Sequence, residues 1–132
     1  MSKRVLIVED EALVALTLED ILLEAGYLVC GIAHNPAEAL LLAQEFAPEI
    51  AVVDVRLADN GDGIALADAL MAMRPLLILF ATGNPAEVRD RARAGRGCLT
   101  KPFGAEWLLV ALEAIQSGAT HPIPGYFALP FA

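Results

Sequence analysis

Ile50-Ala51-Val52-Val53-Asp54 sets four apolar residues, with no polar break, directly before a carboxylate. A run of that kind is a strand covered on both faces, the position that a parallel sheet flanked by helices provides. Asp54 therefore stands at the carboxyl end of a central strand, where the crevice of an open α/β sheet receives ligands.

The flanking sequence repeats the pattern. Upstream, Val5-Leu6-Ile7-Val8 is equally unalternated and ends in Glu9-Asp10-Glu11. Apolar residues then fall at Val14, Leu18, Ile21, Leu22 and Ala25, which is helical spacing. Gly26 suits the left-handed position that closes a helix. Residues 28–33 read as a second strand, and Asn35-Pro36 caps and opens a helix that runs to Phe46 and stops before Pro48. Downstream of Asp54, the loop Ala58-Asp59-Asn60-Gly61-Asp62-Gly63 leads into a helix ending near Met73, ahead of Pro75. Residues 76–81 form a fourth buried strand that finishes at Thr82-Gly83. Asn84-Pro85-Ala86-Glu87 supplies a cap, a proline at the first helical position and a Glu three beyond the cap, so a helix is expected from there to about Ala94. A short strand at 97–100 delivers Lys101-Pro102, and a fifth helix covers 105–117.

Strand and helix thus alternate five times, which predicts one doubly wound α/β domain with a parallel sheet. Right-handed crossovers leave few topologies, and the order 2-1-3-4-5 is the expected one.

Composition sets the boundaries. A length of 132 residues fits a single domain. Apolar residues make up 57%, yet no run approaches the roughly 18 uninterrupted positions of a membrane span. Only four apolar residues follow Met1-Ser2-Lys3-Arg4 before Glu9, so a cytoplasmic protein without a signal peptide is expected. With 17 acidic against 9 basic residues the net charge is -8, which opposes direct binding to nucleic acid. Cys30 and Cys98 lack CxxC spacing, and His34 and His121 share no metal-ligand spacing with them; buried free thiols are expected rather than a redox pair.

The polar residues at the strand ends carry the chemistry. Glu9 and Asp10 follow the first strand, Asp54 the third, Thr82 the fourth and Lys101 the fifth. In the expected order the first and third strands are neighbours, so three carboxylates crowd one crevice. Two unit charges about 4 Å apart repel by about 4 kcal/mol at an effective dielectric near 20, and such a cluster calls for a cation. Oxygen-only ligands that leave room for water suit Mg²⁺. Glu9, Asp10 and Asp54 give -3, and Mg²⁺ with Lys101 gives +3. A phosphoryl group on Asp54 adds negative charge that Lys101, the Thr82 hydroxyl and the metal can absorb. Each residue alone has a structural explanation: a cap for Asp, a turn for Thr-Gly, a surface loop for Lys-Pro. All of them together on one sheet edge favour phosphoryl acceptance.

In that order, acid pair, Asp, Thr and Lys-Pro, the chain resembles the receiver domain of two-component response regulators over about residues 3–117. The resemblance implies a flavodoxin-like fold, with Asp54 as phosphoacceptor, Thr82 as switch hydroxyl, and Lys101 binding the phosphoryl group. It implies Mg²⁺ held by Asp10, Asp54 and the backbone carbonyl of Arg56, with Glu9 acting through water, and a cis peptide before Pro102. A sensor histidine kinase or histidine phosphotransfer protein is the implied donor. The output is a changed affinity of the fourth helix, fifth strand and fifth helix for a partner protein. Two positions depart from the common pattern: Cys98 stands where the family carries Tyr or Phe, and Phe80-Ala81-Thr82-Gly83 is similar to a subgroup of mostly stand-alone receivers, though Asn84-Pro85 follows the glycine. Because no effector domain follows the fifth helix, a stand-alone receiver is expected.

Two rival readings remain. An Mg²⁺-dependent phosphohydrolase with an Asp nucleophile usually has a second Asp two residues on, where this chain has Arg56. A degenerate receiver acting only as a binding module would suit Cys98.

The fifth helix has a core face at Leu108, Ala111, Leu112 and Ile115 and a second apolar stripe at Trp107, Val110 and Ala114. Residues 118–132 carry prolines at 122, 124 and 130 among Ile123, Tyr126, Phe127, Leu129 and Phe131, too apolar for a solvated linker. A receiver over 1–117 with a C-terminal segment docked on itself, or on a second subunit as a homodimer, is the expected organisation.

Overall fold

The computed structural model describes residues 3–118 and 122–131; His121 lies outside them. The strands are β1 (Arg4–Val8), β2 (Leu28–Ala33), β3 (Ile50–Val53), β4 (Arg56–Leu57), β5 (Gly61–Asp62), β6 (Leu77–Thr82), β7 (Gly97–Thr100) and β8 (Tyr126–Ala128). The helices are α1 (Ala12–Glu24), α2 (Pro36–Phe46), α3 (Gly63–Met73), α4 (Pro85–Arg91) and α5 (Ala105–Ser117). The main sheet runs β2-β1-β3-β6-β7-β8, and its first five strands are parallel, in the order the alternating pattern predicts.

The apolar strands fill the middle of the sheet because both faces are covered. Val52 and Ile7 belong to the cluster shared with α1 and α5. Val53, Leu6 and Phe80 belong to the opposite cluster, shared with α2, α3 and α4. Ile50, Ala51 and Val53 are fully inaccessible and Val52 nearly so, which explains the missing alternation.

Local signals act as the residue types dictate at several ends. Asn35 accepts the Glu38 N–H at 2.8 Å, and the Glu38 carboxylate accepts the His34 N–H at 2.8 Å, closing a reciprocal cap. Gly26 adopts φ +93° after α1. At Asn84 the expectation differs from the structure: its side chain makes no cap bond, and α4 stops at Arg91 instead of continuing to Ala94. The Asn84 N–H is turned back to the Thr82 hydroxyl at 3.0 Å, and the Glu87 carboxylate is taken by two arginines instead of the helix start.

Two elements are additional to the five expected strands. β4 and β5 make a two-stranded antiparallel ribbon between β3 and α3. β8, from the C-terminal segment, joins the β7 edge antiparallel, so the sheet has six strands. Ile123 and Tyr126 enter the same apolar cluster as Trp107 and Val110 of α5. The peptide between Lys101 and Pro102 is cis. Both cysteines are free; Cys98 is buried, and the half-buried Cys30 donates its thiol to the Val5 carbonyl at 3.3 Å. Among the described residues no helix is long and apolar enough to cross a membrane.

Candidate functional site

Parallel strands bring their carboxyl ends to one edge, and the register sets which ends meet. Val8 pairs with Val53, and Val53 with Phe80, so Glu9, Asp54 and the end of β6 lie side by side. The Asp54 N–H donates to the Val8 carbonyl at 3.0 Å and the Glu9 N–H to the Ala33 carbonyl at 2.9 Å, extending the ladders up to the acids. Carboxylate oxygens of Glu9, Asp10 and Asp54 all lie within 4.8 Å of one another. Lys101 bridges two of them, with Nζ donating to Glu9 Oε1 at 2.5 Å and to Asp54 Oδ2 at 2.8 Å. The other Asp54 oxygen accepts the Val55 N–H at 2.7 Å.

Burial decides the electrostatics. The Glu9 side chain is 2% exposed and the Asp54 side chain 12%, whereas Asp10 is open to solvent. Loss of water pushes Glu9 up to about 7, assisted by the Asp54 charge and opposed by the Lys101 hydrogen bond. Burial works against the Lys101 ammonium, but its bonds to Asp54 and Glu9 outweigh that cost and raise its pKa. One cation thus faces three acids. The donor set consists of oxygens alone, with no thiol or imidazole in it, which fits a hard divalent cation.

Thr82 is fully buried at the end of β6 but makes no hydrogen bond to the acids. Its carbonyl accepts the Lys101 N–H at 2.9 Å, tying the end of β6 to the chain that carries the lysine. The Arg56 side chain pairs with Glu87 of α4. Glu87 also pairs with Arg91 at 3.0 Å, and Arg91 with Asp62, whose Oδ1 caps α3 through the Ile64 N–H at 2.9 Å. The links of this chain of four charged groups to Arg56 and Asp62 escape a reading of the sequence, since they join α4 to separate segments. Gly63 was missed as well: a Cβ there would lie 1.8 Å from the Asp54 carbonyl oxygen.

Comparison with known proteins fits this geometry. The family described as the response regulator receiver domain matches residues 5–113. The chain is 34% identical over 120 residues to the chemotaxis protein CheY of Thermotoga maritima, covering 88% of this chain and 99% of that one. It is 36% identical over 119 residues to the transcriptional regulatory protein PdtaR of Mycobacterium tuberculosis, covering 87% of this chain but 57% of that longer protein. The solution structure of the Erythrobacter litoralis PhyR receiver domain superposes with a TM-score of 0.81 at 26% identity, over 92% of this chain and 95% of that one. Sequence, fold and site edge agree, and the chain belongs to the receiver domains of two-component response regulators.

Proposed function

We propose that Asp54 accepts a phosphoryl group from a phosphohistidine on a sensor histidine kinase or phosphotransfer protein, and that the modified site alters contacts with a downstream protein. The observation that supports this best is the Asp54 carboxylate between Lys101, at 2.8 Å, and two further acids within 4.8 Å. In the transfer, an Asp54 oxygen forms a bond to phosphorus as the phosphorus–nitrogen bond breaks, and the imidazole leaves with the electron pair. Asp10, Asp54, the Arg56 carbonyl and, through water, Glu9 are the groups that would hold Mg²⁺. When bound, the ion supplies positive charge against the phosphoryl oxygens. Lys101 shifts its pairing from the carboxylate to a phosphoryl oxygen. The Thr82 hydroxyl accepts from Asn84, which leaves its own proton to donate to another phosphoryl oxygen.

Incubation with Mg²⁺ and a small acyl phosphate tests the proposal. One added phosphoryl group per chain is expected by intact mass, and none with Asp54→Asn. No mass gain, or steady turnover of phosphate esters without a covalent species, would overturn it. The second outcome would favour a phosphohydrolase, a role that Arg56 argues against because an acid is needed two residues beyond Asp54.

A further inference from the structure

The C-terminal segment lies across the edge of the sheet beside the site. β8 pairs Leu99 with Tyr126, Cys98 with Phe127 and Gly97 with Ala128. Two more hydrogen bonds flank these pairs: the Thr100 N–H donates to the Gly125 carbonyl at 2.8 Å, and the Leu129 N–H to the Arg96 carbonyl at 2.9 Å. Phe127 joins the cluster on the α4 side of the sheet, whereas Tyr126 and Ile123 join the α5 side, so the segment straddles the edge. Its fit is specific. A Cβ at Gly97 would lie 2.4 Å from the Tyr126 hydroxyl, so only glycine lets that ring lie against β7.

Ile123, Tyr126, Phe127, Leu129 and Phe131 pack the strap onto the two apolar clusters, and two of its polar anchors begin beside the phosphoryl site. Thr100, which holds Gly125, is adjacent to Lys101, whose ammonium bridges Glu9 and Asp54. The Arg89 guanidinium lies 4.2 Å from the centre of the Phe127 ring, and its helix starts three residues after Thr82. Pro124 and Pro130, which lack N–H donors, bracket the stretch from Gly125 to Leu129 within which the strap is paired. A three-residue edge strand held in this way belongs to the part of a fold that opens locally.

We infer that residues 122–131 form an intramolecular strap over β7, which supplies with Phe127 the aromatic ring missing at Cys98 and which charge at Asp54 releases. A phosphoryl group draws Lys101 and Thr82 toward itself. The backbone that holds Gly125 and the helix that holds Phe127 then move toward the site, and the β7 edge opens. Strap opening and anion binding are linked, so each changes the other by the same factor.

This inference rests on the proposed phosphoryl acceptance, and the test separates the two. Amide exchange is measured on the full chain with and without Mg²⁺ and beryllofluoride, an inert phosphoryl mimic. The Val55 amide reports the site, and the Thr100 and Leu129 amides report the strap. Changed exchange at Val55 together with at least tenfold faster exchange at Thr100 and Leu129 is the expected result. Phe127→Ala should accelerate both strap amides without the mimic and tighten mimic binding. If that variant is poorly folded, Arg89→Gln, on the exposed side of α4, should act in the same direction. Altered Val55 with unchanged Thr100 and Leu129 overturns the strap alone. An unaltered Val55 overturns phosphoryl acceptance, and the release of the strap with it.

Discussion

At the scale of single residues, the site is organised by the cost of burying charge. The pKa of Glu9, about 7 in the folded chain, lies above its ordinary 4.5, so between those values the native state binds more protons than the unfolded state. Stability of the metal-free chain is therefore highest below about pH 4.5 with respect to this group, and that contribution is lost as pH rises through about 7. The amplitude is of the order of 3 kcal/mol. Urea unfolding across this range should show the fall, and Glu9→Gln should flatten it. For the same reason Mg²⁺ should bind more tightly as pH rises through neutrality, because the acids must be ionised to hold it; calorimetry at two pH values checks this. Removal of Lys101 leaves two acids without their cation, so Lys101→Ala should cost about 3 kcal/mol at neutral pH in the absence of metal, as breaking a buried pair does. Gly63→Ala forces a methyl group into the Asp54 carbonyl and should cost about 3 kcal/mol by overpacking, with disturbed resonances at Asp54 and Val55.

At the scale of elements, α4 shows where local signals prevail and where they lose. Asn84-Pro85 marks the start of a helix as its composition says, but other partners claim both polar groups of the expected capping box. The Asn84 N–H goes to Thr82, and the Glu87 carboxylate to Arg56 and Arg91. Arg56 comes from a distant segment and leaves no trace in local spacing, whereas Thr82 and Arg91 are near neighbours in sequence that compete with the cap. The buried strands were legible because double coverage removes alternation. β8 was not, because three residues between prolines become a strand only when β7 offers an edge. The acids and Lys101 were placed on one edge by the strand ends, whereas which oxygen meets which donor depends on side-chain geometry. The Arg56–Glu87–Arg91–Asp62 chain is partly exposed, so Glu87→Gln should change global stability by about 1 kcal/mol or less. Exchange of the α4 amides should nevertheless rise, since that helix loses its ionic link to Arg56 and keeps only the one from Arg91 to Asp62.

At the scale of the whole molecule, one sheet serves two purposes. Its parallel ladders fix the acids and the lysine within contact of one another, and its last edge is closed by the chain's own C-terminal segment. The acid edge and the closed edge share β7, which ends at Thr100 just before Lys101 and pairs with β8 along its outer side. A charge added at Asp54, at the end of β3, thus lies two strands, β6 and β7, from the strand it is proposed to release. The most direct test of phosphoryl acceptance is a crystal structure of the full chain with Mg²⁺ and beryllofluoride. The account predicts the mimic on an Asp54 oxygen, Mg²⁺ on Asp10 and Asp54, and Lys101 Nζ and the Thr82 hydroxyl each within hydrogen-bond distance of a fluorine. A mimic bound elsewhere, or a Lys101 that stays on Glu9 while Thr82 keeps only its bond from Asn84, would contradict it.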